Sequence, residues 1–458
     1  MTATIWAATA LLADGWADSV EIKIDHAGNI ESISGGQPYT AGERIEILIP
    51  AIPNVHSHAH QRAMSGLGER AGISGDAAKD SFWTWRKIMY HYLERIQPEQ
   101  LFHISAQLYL EMLKAGYSCV GEFQYLHHNL DGTAYSNRAE MTLQCMQAAQ
   151  QVGLGFTALP VLYRYGGFGS ADPLDGQKRF LNDAEGFIDI VKTMQQASVA
   201  DANTAVGIAP HSLRAISGEL LAEVIGSLDN LAAIHVHIAE QPKEVDDCLA
   251  WSRMRPVEWL FDQFDVDQNW CLIHATHMND AETTAMARSG CVAGLCPTTE
   301  ANLGDGFFNA IDYFDQEGCW AIGSDSHISI NPVEELRWLE YGQRLLTRKR
   351  NVLVSPNAAN SGRNLLDGAL KGGARACGRN IGSITSGARA DFVVLDDQHP
   401  RLYGRQQDDV LDSWIFSGNE NLVRDVYVGG NKVIECGCHA DEEKIQRNYR
   451  TTLDQLAN

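Results

Sequence analysis

The sequence lacks any run of ~20 uninterrupted apolar residues, the length a membrane-spanning helix needs, so no membrane partner is expected. It lacks cationic excess as well: 36 Lys and Arg stand against 58 Asp and Glu, a net charge of −22. Such a surface repels nucleic acid and anionic membranes, which excludes charge-driven binding to either. An anionic small molecule would have to be met by local arginines, because the overall field does not attract it. A regular cysteine framework is also missing. Ten cysteines are scattered along the chain, and the expectation is reduced thiols in a cytoplasmic protein. Cys436 and Cys438, followed by His439, have the outline of a metal knuckle, but no second cysteine pair follows. The opening segment TATIWAATALLADGWADS has no basic stretch before its apolar run and reads as a strand rather than a signal peptide.

What is present is ample apolar material, 45% of 458 residues, with 21% charged. That length suits one large α/β domain plus a smaller one. Eight short apolar runs recur: ILIPAIPNVHSH, YSCVGEFQYLHH, LGFTALPVLYR, TAVGIAPHSLR, LAAIHVHIAEQ, WCLIHATHMN, CVAGLCPTTEANLG and CWAIGSDSHISINP. Amphipathic stretches such as PEQLFHISAQLYLEMLKAG and AEMTLQCMQAAQQVG lie between them, each ending in the glycine of a helix C-cap. Eight strand–helix units predict a (β/α)8 TIM-type barrel over residues 49–383. Residues 1–48 and 384–437 have the texture of short strands and turns. Together they predict a small β-sandwich domain built from both termini, and residues 438–458 a terminal helix.

Ionisable residues stand at the ends of the barrel runs. His56 and His58 close the first run two residues apart, a spacing that turns both imidazoles to one face of a strand. His211, His237, His274 and Asp325 close later runs, on what would be the catalytic face of a barrel.

The set PxxPNVHSH, HVHIAEQ, LIHATH and IGSDSH resembles the amidohydrolase superfamily, and GSITSGARADFVVLD near the end fits the same family. The resemblance implies a metal site of His56, His58, His237 and Asp325, a donor set suited to one Zn²⁺ per subunit. His235 and His60 share the short spacings but are expected to be structural. No lysine occurs in the fourth run, where binuclear relatives carry a carboxylated one, and this absence argues for a single metal. The implied chemistry is hydrolytic. Zinc-activated hydroxide would attack an sp² carbon bearing nitrogen, Asp325 would accept the water proton, Glu240 would shuttle protons to the leaving nitrogen, and His274 would orient or polarise the nucleophile.

Arginines point to the substrate class. Gln61 follows the first histidine pair, Arg86 lies in FWTWRKIMY, Tyr125 ends the second run, and His211 and Arg214 end the fourth. Guanidinium forks hold carboxylates bidentately. HSHAHQRAMSGLGE, FWTWRKIMY and PHSLRA together resemble the formiminoglutamate deiminases, which implies a small acidic amino-acid derivative as partner, a place in histidine degradation, and a homodimer. Arg86 is open as a residue of its own barrel mouth or of a neighbouring subunit's. The alternative is a deaminase or dechlorinase of a heterocycle such as guanine, an adenosine derivative or a triazine. A metal-free scaffold barrel is disfavoured, because each expected ligand is present.

Overall fold

The computed structural model describes residues 3–40, 42–69, 82–355 and 358–457. The N-terminal strands are β1 (Ala3–Leu12), β2 (Gly15–Ile24), β3 (Ile30–Ser34) and β4 (Glu43–Pro50). Next come β5 (Ile52–Ser57), β6 (Tyr117–Gln124), β7 (Gly155–Leu162), β8 (Thr204–Val206) and β9 (Ala209–Pro210). They are followed by β10 (Ile234–Ile238), β11 (Trp270–His274), β12 (Val292–Leu295) and β13 (Cys319–Ile322). The C-terminal strands are β14 (Phe392–Leu395), β15 (Val423–Val428) and β16 (Asn431–Ile434).

β5 to β13 make the barrel. β5-β6-β7-β8 pair in parallel, with β9 also on β7, and β10-β11-β12-β13 form a second parallel group. Parallel bridges Ile208–Ile234 and Ser212–His237 join the groups on one side, and Ser57–Asp325 closes the ring on the other. β5, β6 and β7 are buried at every position, as strands covered on both faces must be. Helices Pro98–Ala115 and Glu140–Val152 end at Gly116 and Gly153 with φ of 104° and 77°, a region that glycine enters without a Cβ penalty.

β1–β4 and β14–β16 form one sheet of order β16-β15-β14-β4-β1-β2-β3, so the two ends of the chain meet beside the barrel. One face gathers Ile5, Val20, Ile22, Ile45 and Phe392 into a core of its own. On β14 the alternate residues Val393 and Leu395 face the other way, as the period of two requires, and join the core of the barrel with Ile47 and Ile49 of β4. Helix Glu442–Ala457 lies against Pro98–Ala115, held by Lys114–Glu442 at 2.5 Å and by Tyr449 donating to the Arg62 carbonyl at 3.2 Å. No helix among the described residues is long and apolar enough to cross a membrane.

Candidate active site

His56 and His58 end β5, and the chain there is tied to the end of β13 by two backbone hydrogen bonds. Asp325 N–H donates to the His56 carbonyl at 3.0 Å, and His58 N–H donates to the Asp325 carbonyl at 3.3 Å. The pairing brings the Asp325 carboxylate to 3.5 Å from His56 Nε2 and 3.3 Å from His58 Nε2. His237, on β10, places its Nε2 3.0 Å from His56 Nε2. His274 ends β11, with Nε2 3.7 Å from Asp325 and 3.8 Å from Glu240. Ala239, His274, Ala275, Asp325 and His327 all take positive φ, between 47° and 68°. Strain of this kind persists where surrounding packing dictates it, and it gathers at functional sites.

The donor set fits a metal. His58 Nδ1–H donates to the Phe123 carbonyl at 3.0 Å, and His237 Nδ1–H to the His211 carbonyl at 2.9 Å. These bonds fix the tautomers and leave both Nε2 lone pairs facing inward. His56 Nδ1 is buried with no hydrogen-bond partner among the described residues. Burial, and then neighbouring imidazoles, hold His56 and His237 well below the usual histidine range. Burial lowers His58 too, against the pull of Asp325. Three neutral imidazoles converging on a carboxylate are a group that could hold a cation, and nitrogen with carboxylate oxygen suits Zn²⁺.

Behind this cluster, Glu122 on β6 accepts from Ser57 Oγ at 2.6 Å, Ala59 N–H at 2.7 Å and Tyr109 O–H at 3.0 Å. It braces the chain on both sides of His58. Burial pushes its carboxyl up to about 7. Glu240, two residues beyond β10, is also pushed up to about 7, by burial foremost and by Asp325, with His274 and Arg214 opposing. Burial alone would lower His274, but Glu240, a bond to Glu300 and the Asp325 charge lift it to about 10.

A small cavity opens above these groups. Gln61, Arg86, Tyr125, His211 and Arg214 all line it, together with His58, His237, Glu240, His274 and Asp325. Arg86 comes from helix Phe82–Leu93 of the same chain and reaches its own barrel's mouth, where Nε donates to Tyr90 O–H at 2.6 Å. Gln61 Nε2 donates to the Tyr125 hydroxyl at 3.2 Å. Segment 70–81, part of the stretch after β5 that could reach over the mouth on the sequence reading, lies outside the described residues.

His60 and His235 are elsewhere. His60 Nε2 meets Tyr125 O–H at 2.8 Å, and His235 Nε2 donates to the Ala376 carbonyl deep in the barrel at 2.7 Å. His439 donates to the Val152 carbonyl at 3.2 Å, away from the site. Sequence reasoning passed over Tyr163, Phe180, Trp85, Glu300 and Asp305. Tyr163 and Phe180 complete the aromatic wall with Trp85. Glu300 accepts from His274 Nδ1–H at 3.2 Å, and Asp305 is pushed up by burial and then by Glu240. The signal for Glu300 was available: it sits in CVAGLCPTTEANLG, a carboxylate just past a strand like the others.

Comparison with known proteins gives the family and the fold. Residues 47–433 match the model of the amidohydrolase family, and residues 2–46 match that of the formimidoylglutamate deiminase HutF N-terminal domain. A formimidoylglutamate deiminase of Pseudomonas aeruginosa is 48% identical over 99% of this chain and 99% of its own. A crystal structure of an amidohydrolase from Brucella melitensis superposes with a TM-score of 0.94, at 46% identity and 100% of both chains. An adenosine deaminase from Xanthomonas campestris, solved with bound zinc, shares the fold at a TM-score of 0.80 and 20% identity, over 99% of this chain and 98% of that one. On these matches the chain belongs to the amidohydrolase family, in its formimidoylglutamate deiminase branch.

Proposed function

We propose that this hydrolase acts on N-formimino-L-glutamate and water, giving N-formyl-L-glutamate and ammonia in histidine breakdown. The observation that carries the reading is that Arg86 and Arg214 enter the same small cavity as the His–Asp cluster. A heterocycle has no need of two guanidinium groups, whereas a dicarboxylate does. The Pseudomonas aeruginosa relative supports the same substrate.

His56, His58, His237 and Asp325 would hold one Zn²⁺, which supplies Lewis-acid activation of water near neutral pH. Asp325 takes the proton of the attacking water on the oxygen that faces His274. Glu240, pushed up to about 7, is poised to carry a proton in either direction at neutral pH. Glu240 gives its proton to the imino nitrogen as the water oxygen adds and takes one back from the tetrahedral hydroxyl, while the proton held by Asp325 passes to the same nitrogen. Both water protons thus end on the nitrogen, which leaves as ammonia as a C=O bond replaces the C=N bond. Arg86 and Arg214 clamp the carboxylates, while Gln61, Tyr125 and His211 fix the approach of the formimino group.

The test is ammonia release from N-formimino-L-glutamate beside guanine, adenosine and cytosine, with zinc at one equivalent. Turnover of the first alone is expected, with loss on chelation and return on adding zinc. Turnover of a heterocycle instead would install the alternative.

A homodimer is the companion reading. Helix Pro332–Thr347 buries Val333, Leu336 and Leu339 yet exposes Trp338, Tyr341, Leu345 and Leu346. Its start carries Glu334, and exposed Arg348, Lys349 and Arg350 follow its end, so antiparallel pairing with a second copy matches opposite charges. Light scattering should give twice the 50.4 kDa of one chain, falling to one chain in Leu345→Glu. A monomeric wild type would refute it.

A further inference from the structure

We propose that Glu300 is a positioning residue, whose carboxylate grips His274 from behind and turns its Nε2 into the reaction chamber. The observations are geometric. Glu300 is 5% exposed, in the helix Pro297–Leu303 that follows β12. One of its oxygens, Oε1, accepts from His274 Nδ1–H at 3.2 Å and from Cys296 N–H at 2.9 Å. The second bond fixes that oxygen relative to its own helix.

The helix is anchored in turn. Thr298 donates to the buried Glu335 through N–H at 2.9 Å and Oγ1 at 2.5 Å. Thr299 Oγ1 meets Ser326 Oγ at 3.0 Å, beside Asp325. The grip on His274 is therefore a rigid one, referred to the same end of β13 that carries Asp325.

His274 needs such a grip. Its φ of 68° is left-handed, so local backbone preference does not aim the ring. With Nδ1–H committed to Glu300, only Nε2 is left for Asp325 and Glu240, at 3.7 and 3.8 Å. A carboxylate behind an imidazole fixes its orientation, the logic by which a buried acid supports a catalytic histidine. Nothing else among the described residues is bonded to His274 Nδ1. Cys296, close by, is no thiolate rival, since burial drives its thiol well up.

The inference rests on the hydrolytic reading above for its activity arm, and its structural arm is independent. Glu300→Gln keeps an Oε1 acceptor for both bonds and should retain most of the activity, whereas Glu300→Ala removes the acceptor of His274 Nδ1–H. With zinc at one equivalent, kcat of Glu300→Ala should fall about 10- to 100-fold, with KM and bound zinc unchanged. In a His274→Asn background, the same change should cost less than about twofold, because a residue that acts through His274 has nothing left to act on. Crystals of Glu300→Ala should show the His274 ring turned away from Glu240. An unaltered kcat in Glu300→Ala, an equal loss in both backgrounds, or a His274 ring that stays in place would overturn the proposal. Should the wild type leave N-formimino-L-glutamate untouched while Glu300→Ala still displaces the ring, the substrate reading falls and the positioning role stands.

Discussion

Replacing Arg214 with alanine separates substrate recognition from the chemistry. Arg214 follows β9 and lines the cavity with His211, Tyr163 and Glu240. It pulls down the carboxyls of both Glu240 and Glu244 against the effect of burial. Two losses are therefore expected. Removing a fork that holds a substrate carboxylate costs about 2–5 kcal/mol when the partner charge is left enclosed. Taking about 3 kcal/mol, kcat/KM for N-formimino-L-glutamate should fall on the order of 150-fold, at 1.36 kcal/mol per tenfold. The second loss is a poorer Glu240, whose carboxyl rises further without its cation. That loss falls on kcat and is the same for every substrate. Ammonia release measured with the diacid and with its two mono-amides distinguishes the effects. The wild type should prefer the diacid strongly to at least one amide, and Arg214→Ala should erase that preference. Arg214→Lys keeps the charge but not the fork, and it should fall between. A loss under about threefold, or an equal loss on diacid and amides, would refute carboxylate recognition by Arg214 and favour a neutral substrate.

Two further outcomes test the proton-handling and bracing carboxylates. Glu240→Gln should lower kcat about 10²- to 10⁴-fold while zinc content and KM hold; a loss of bound zinc would make Glu240 a structural partner of the site instead. Burial raises Glu122 from 4.5 to about 7, so its neutral form is favoured in the folded state. The resulting stability is complete below pH ~4.5 and lost as pH rises through ~7, up to about 3 kcal/mol at 1.36 kcal/mol per unit. Calorimetry of the metal-free protein should therefore show Tm falling from pH 5 to 8, and Glu122→Gln should flatten that slope; parallel slopes would refute it.

How far the site was legible follows from how barrels are built. A barrel strand is buried on both faces, so it reads as an unbroken apolar run, and the first ionisable residue after it marks the strand end. His274 and Asp325 were located by that rule, at the end of β11 and just beyond β13; His56 and His58 stood out by their spacing of two, and His237 was told from His235, which shares β10, by the family pattern His-x-x-Glu. Glu300 obeyed the rule less visibly. Between it and β12 lies Cys-Pro-Thr-Thr, the start of a helix, and its partner His274 is 26 residues away in sequence. Arg86 and Tyr163 were harder, since the contact between them spans 77 residues and depends on how a helix after β5 folds over the mouth. Strand ends are therefore a local property, readable from hydrophobic pattern, whereas the supports behind them are set by where loops return. This difference separates the two kinds of residue physically. The convergence of His56, His58 and Asp325 follows from the register of the β5 end against the β13 end, where a one-residue slip would turn His56 and His58 away from Asp325. Supporting positions such as Glu300 tolerate changes of loop path, provided an acceptor reaches Nδ1 of His274. A substituted chain that moved this acceptor to another loop should retain turnover, whereas one that shifted β5 by a residue should lose metal and turnover together.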